Sequence, residues 1–400
     1  MSMRFCVETV PFAPTSGHIY YNIPVPTEIE KAYQQISDYC HEQLEQKYGN
    51  WESAKQRLEI ALDYMKKTES AFQFLVVKEI VELSKEKNSP MFSASSGSIL
   101  DYLLGASCVN PLPPHYYCPD CHHVEEVGNV RDGFDLPEKN CPKCGAEMQR
   151  DGHNCSEYLC WTSYRSKIAR HSNEPHITKP VLYKAQSWLD SRLYKSDSEP
   201  DGEKFFSISI QSNSHLNLIN QLHDTTGVHY ADIPLHDKSV WSCVARRILD
   251  DERKREDKGK LIFDEEHCPA EANFVHFHDL TRLFGYCHGS FAGDKAVEHL
   301  CDDDYYVLRD EICEVLAANG FSPDEAAHGA HRIAWGHIDE AANVLVKGNM
   351  KGMVNVWTKS ACVRGVTIFY YLEWYKKNYP KEYAGLNNSI SGDSDYSLKH

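Results

Sequence analysis

The chain has 400 residues, 42% of them hydrophobic and 25% charged, enough for two or three domains with their own cores and typical of a globular protein. Its 42 Lys and Arg face 58 Asp and Glu, and the formal charge of −16 argues against a surface that grips nucleic-acid phosphates all over. No run of 18 apolar residues occurs and the opening MSMRFCVETVPFAP lacks the regions of a signal peptide, so a cytoplasmic protein is expected, its 15 cysteines reduced or metal-bound.

Residues 1–26 read as an irregular or extended arm, rich in aromatics and broken by Pro24 and Pro26. Thr27-x-x-Glu30 is a capping box that opens a helix with Ile29, Ala32, Ile36, Tyr39 and Cys40 on its apolar stripe and Gly49 as its stop. Asn50 is the expected cap of a second helix, which carries Trp51, Ala54, Leu58, Leu62 and Met65 on one face. Residues 72–83 suit either a helix or a buried strand. The Gly/Ser-rich run from Phe92 to Ser98 has no basic partner, so it reads as a helix cap rather than a phosphate cradle.

The most informative stretch is 109–154. Two Cys-x-x-Cys pairs, Cys118/Cys121 and Cys141/Cys144, stand 19 residues apart in the knuckle sequences Cys-Pro-Asp-Cys and Cys-Pro-Lys-Cys-Gly. Two residues between cysteines let both thiolates face one ion, and Gly145 frees the backbone for the positive φ such a turn needs. Four thiolates suit tetrahedral Zn²⁺ in a structural role, because no coordination position is left open. Disulfides or a redox pair compete with this, but a duplicated knuckle on a loop-rich segment fits neither well. His122 and His123 read as loop histidines.

Beyond Asn154 a polar stretch containing KSDSEPDGEK reads as a linker, and Phe205–Ile210 as a strand followed by a helix and a Thr-Gly turn. The basic run from Ala245 to Lys260 is interleaved with Asp250, Asp251, Glu252, Glu256 and Asp257 at helical spacing, the pattern of a salt-bridged solvated helix. A helix is expected over 305–319 with Gly320 at its end, and Ser322-Pro323-x-Glu325 opens the next. His288 reads as a structural histidine.

The run VNPLPPHYYCPDC, then GFDLPEKNCPKCG, then DGH resembles the zinc segment of PolC-type DNA polymerase III alpha subunits of Gram-positive bacteria. KYGNWESAKQRLEIALDYMKKTESAFQFLVVKEIVE resembles the helical approach to that family's polymerase core, although the Arg of its following Ser-Arg-Gly-Ser turn is missing here. The segment from Phe205 to Ser242 resembles the palm-to-fingers junction. Residues 277–289 resemble the fingers, with Gly285, His288 and Gly289 matching. Trp357 to Ala361 resembles a segment whose Lys, here Lys359, the family uses near the nucleotide triphosphate. The palm itself has no counterpart. Instead of Pro-Asp-x-Asp, the nearest sequence is Pro200-Asp201-Gly202-Glu203 in a polar loop, and the strand position of the third catalytic carboxylate holds Ser209. A two-metal site needs carboxylates, and a hydroxyl brings no charge.

The resemblance therefore implies a mainly α chain with a small zinc ribbon: a thumb/fingers remnant, too short for a whole polymerase and lacking a complete palm. Its expected divisions are a helical region 1–105, a zinc ribbon 106–154, a divergent linker 155–204, a helical fingers-like domain 205–386 and a disordered tail 387–400. The function expected is that of a catalytically inactive protein, stabilised by Zn²⁺ on Cys118, Cys121, Cys141 and Cys144, that binds replisome proteins or, weakly, nucleic acid. Lys359 is its candidate for weak nucleotide binding. The alternatives are a split polymerase completed in trans and a zinc-ribbon scaffold unrelated to replication.

Overall fold

The computed structural model describes residues 3–10, 18–23, 26–93, 97–161, 175–192, 194–196, 205–256, 276–291, 306–335, 353–354 and 356–390. It is mostly helical with small sheets, and it divides into two compact units. Neither unit is a continuous stretch of chain. The first comprises Met1–Cys108, Arg170–Ile233 and Trp374–His400; the second comprises Val109–Ala169 and Pro234–Glu373.

The first unit is built on a six-stranded sheet. Its order is Phe92–Ser93, Pro175–Ile177, Phe205–Ser212, Met3–Val10, His18–Ile23 and Tyr194–Ser196. Met3–Val10 pairs antiparallel with His18–Ile23 and parallel with Phe205–Ser212. Ile210 projects into a core made with Val76, Val77, Ile80 and Val81 of helix Ala71–Glu86 and Val181, Leu182, Ala185 and Leu189 of helix Lys179–Arg192. Helix Pro26–Tyr48 buries Ala32, Ile36, Cys40, Leu44 and Tyr48, a strict four-residue stripe, and ends where Gly49 adopts φ +58°.

Three expectations need correction here. Residues 3–10 and 18–23, expected as an irregular or extended arm, are paired strands: they form a hairpin with each other, and their outer partners, 205–212 for the first and 194–196 for the second, lie far along the chain where no local pattern announces them. Residues 155–204, expected as a linker, carry helices Glu157–Cys160 and Lys179–Arg192 and strands Pro175–Ile177 and Tyr194–Ser196. The helix Glu52–Lys67 is capped at Trp51, not Asn50, whose Oδ1 instead accepts from the Lys55 ammonium. The ambiguous 72–83 lies within a helix. Pro200 to Glu203 and 391–400 fall outside the described residues, while 387–390 belong to helix Pro380–Ile390.

In the second unit, His115–Tyr117 pairs antiparallel with Val124–Glu126 on one side and Gln149–Asp151 on the other, forming the ribbon. Apart from a second small sheet, in which Ser290–Phe291 pairs antiparallel with Met353–Val354, its main elements are the helices Lys238–Glu256, Phe277–His288, Arg309–Ala318, Pro323–Ala334 and the start of Lys359–Asn378. Phe284 packs edge-on against Phe369 and approaches Gly365 so closely that a Cβ there would lie 2.2 Å from its ring. The expected capping box closes as read: Ser322 N donates to Glu325 Oε2 at 3.0 Å and the Ser322 hydroxyl accepts from Glu325 N.

Ile210→Ala should destabilise the first unit by about 2–5 kcal/mol, since it empties a core position whose neighbours belong to two helices. Tyr183→Ala, on a side chain that is 71% exposed, should change stability by less than about 0.5 kcal/mol. Urea unfolding of the two variants checks both values.

Candidate metal centre and the loop beside it

Each knuckle is the same turn made twice. His122 N donates to Cys118 O at 3.0 Å, and Gly145 N donates to Cys141 O at 2.9 Å. The fifth residue takes the left-handed conformation in both, Gly145 at φ +80° and His122 at φ +55°. Amide N–H groups point at the sulfurs: His123 at Cys121, Lys143 and Cys144 at Cys141, and Ala146 at Cys144. Burial raises the Cys141 thiol, but those amides together with hydrogen bonds from the Cys121 and Cys144 thiols outweigh it and bring it down to about 6.

The four Sγ atoms lie within 4.8 Å of one another, with Cys118–Cys144 at 3.4 Å and Cys121–Cys141 at 3.5 Å. A disulfide needs about 2.05 Å, so these are thiols. Soft donors, convergent and already hydrogen-bonded by backbone, fit a thiophilic ion, and the site could hold one. Among the described residues, no other group of three or more His, Cys, Asp or Glu side chains is so arranged. The two loop histidines stay outside it, and His123 Nε2 lies 3.2 Å from Glu125 Oε1.

Between the knuckles runs a loop whose importance had no signal in the spacing. Asp132 Oδ2 accepts from His153 Nδ1 at 2.9 Å, and both side chains are fully buried. Asp132 Oδ1 also accepts from Phe134 N at 3.0 Å. The Phe134 ring meets His153, His236 and Phe277 edge-on, with centroids 4.7–4.9 Å away. The Asp135 carboxylate accepts from Phe277 N and His278 N. A lone Asp inside GFDLPEKN or an isolated His in DGH has no spacing that marks it as buried. Only the fold finds their partners.

The remaining sequence candidates are placed as follows. Lys359 is 5% exposed; its ammonium donates to Arg131 O at 2.8 Å and its backbone N donates to Asp310 Oδ2 at 2.6 Å. His288 is buried, donates Nδ1 to Phe284 O at 2.9 Å and stacks on the Phe284 ring at 3.8 Å. Ser209 sits in the first unit, in parallel register with Glu8. Arg247, in the charged helix, pairs with Glu373 at 2.7 Å.

No protein-family model matches the chain. It is similar to DNA polymerase III PolC-type of Thermotoga maritima, at 37% identity over 134 residues, or 32% of this chain and 10% of the relative. The protein of the same name from Thermotoga petrophila is 35% identical over 135 residues, again 32% of this chain and 10% of the relative. That of Streptococcus pyogenes serotype M5 is 34% identical over 132 residues, 32% of this chain and 9% of the relative. The chain thus spans about a tenth of the length of the curated relatives it matches and has a PolC-related region covering about a third of its own. Among the described residues, no helix is long and apolar enough to cross a membrane.

Acid should loosen the protein. Burial pushes His236 down to about 4, His278 to about 2 and His331 to about 3, with Arg150, Lys359 and Arg309 respectively adding to the effect. The unfolded chain takes up protons at these imidazoles near pH 6.5 and the folded chain does not, so their contribution is complete above 6.5 and is lost as pH falls. Asp135 opposes them: burial, then Asp132, raises it to about 6, so its contribution is complete below about 4 and is lost as pH rises to 6. Burial raises Asp279 and Glu314 as well, but the three histidines carry the larger displacements. The urea midpoint should fall from pH 6.5 to 4.5, and His236→Gln should flatten that slope by up to about one proton.

Proposed function

We propose that this protein is a zinc-stabilised PolC relative, without nucleotidyl-transfer activity of its own, that binds replication proteins or nucleic acid inside the cell. The observation that carries this is the PolC-related region, at 34–37% identity over about a third of the chain, together with a four-cysteine cluster of zinc-ribbon type. Cys118, Cys121, Cys141 and Cys144 would hold the ion. With four thiolates the ion has no position left for substrate, so what it supplies is folding free energy.

The inactive reading is supported by Ser209, which stands on strand Phe205–Ser212 at the position where the resemblance implies a metal-binding carboxylate. Lys359 would have to give up its bond to the Arg131 carbonyl to meet a triphosphate, which keeps any nucleotide binding through it weak. The formal charge of −16 likewise keeps nucleic-acid binding weak and steeply salt-dependent. A second reading, a polymerase part completed in trans, is favoured by one detail. The residue in parallel backbone register with Ser209 is an acid, Glu8, on the neighbouring strand.

Elemental analysis should find one zinc per chain, and Cys141→Ser should lose the metal and unfold the ribbon; a metal-free protein of full stability would refute the zinc centre. Primer extension with Mg²⁺ or Mn²⁺ should yield no product, and Ser209→Asp alone should not restore it, since the paired carboxylates are missing as well. Template-dependent incorporation by this chain alone that survives repurification and disappears on substitution of an Asp or Glu within it, such as Glu8→Gln, would overturn the inactive reading, whereas incorporation that appears only when a second chain is added would favour the split enzyme. Replisome subunits recovered by pull-down from the native cell would support the binding role.

A further inference from the structure

We infer that the loop between the knuckles is a metal-set latch: filling the four-cysteine site fixes residues 131–135, and these in turn hold the N-terminus of helix Phe277–His288 and the ammonium of Lys359. The inference rests on the zinc reading and goes beyond it, because it gives the ion an effect outside the ribbon.

Five consecutive residues of this loop each bind something beyond it. Arg131 offers its carbonyl to Lys359 Nζ at 2.8 Å. Asp132 holds His153. Gly133 N donates to Gly152 O at 2.6 Å. Phe134 fills the space between His153, His236 and Phe277. Asp135 accepts the first two helical N–H groups of Phe277–His288.

The last contact is the telling one. The helix's own N-cap residue, His276, makes no side-chain capping bond, so the cap arrives from a carboxylate 142 residues away in the ribbon. A helix start leaves N–H groups without intrahelical partners, and an anion there stabilises them. The loop belongs to the 19-residue segment joining Cys121 to Cys141. An ion bound to both knuckles closes that segment and removes most of the freedom it would otherwise lose on docking. Occupancy of the cysteines and the order of a helix start are therefore coupled.

Hydrogen exchange on full-length protein, loaded with Zn²⁺ alone and then stripped with a chelator, tests this. Stripping should speed exchange in the ribbon and also at residues 277–280. A change confined to 115–151 overturns the latch while leaving the zinc centre standing. Failure of the protein to take up stoichiometric zinc overturns both. If stripping also exposes helices Pro26–Tyr48 and Glu52–Lys67, the chain has unfolded globally and zinc-loaded Asp135→Ala decides. That variant should keep its metal and its ribbon protection yet exchange roughly five- to tenfold faster at 277–280, as expected for loss of a cap worth about 1 kcal/mol. Unchanged protection there overturns the latch.

Discussion

The backbone of Gly133 lies against that of Asp151 so closely that a Cβ at 133 would fall 1.9 Å from the Asp151 carbonyl oxygen. Much of the second unit depends on this crossing. It sets Gly133 N on Gly152 O, so that Asp132 falls beside His153, Phe134 enters the aromatic group and Asp135 reaches the start of a helix. Gly152, at φ +96°, is equally constrained, because a side chain there would strike the Pro113 carbonyl at 2.2 Å. Two glycines thus allow the ribbon to act as part of a helical core rather than as an appendage. A buried carboxylate is costly unless it is hydrogen-bonded, and the crossing brings Asp132 its two donors, Phe134 N and His153 Nδ1, while His153 Nε2 stays buried with no hydrogen-bond partner.

Asp310 plays a comparable part elsewhere in the same unit. Its carboxylate accepts from Ser156 N at 2.9 Å and from Lys359 N at 2.6 Å, joining the starts of two helices through one buried side chain. The Arg282–Glu311 pair adds two more buried charged groups to the same interior. Buried charges of this kind are poor sources of stability but strong constraints on which packing is allowed.

The first unit contributes a different constraint. Pairing Met3–Val10 in parallel with Phe205–Ser212 closes a loop of nearly half the chain, a non-local contact of the slow-forming kind. It also sets Ser209 in parallel register with Glu8.

Sequence alone determined the elements whose cause is local. The knuckles follow from Cys-x-x-Cys spacing and Gly145, the helix Pro26–Tyr48 from a four-residue apolar stripe, and the start of helix Pro323–Ala334 from Ser322-Pro323-x-Glu325, because each is decided within one or two turns of chain. The similarity to PolC was likewise legible, carried by contiguous runs around the cysteines. Tertiary structure decided everything whose partner is remote. Residues 3–10 and their hairpin partner 18–23 join a larger sheet because 205–212 and 194–196 accept their outer edges, and the segment read as a linker became helix and sheet because Leu182, Ala185 and Leu189 find Ile210. Asp135 is one acid among 58 Asp and Glu in the sequence, and it became a helix cap through a hydrogen bond spanning 142 residues, a distance over which no periodicity or spacing carries information.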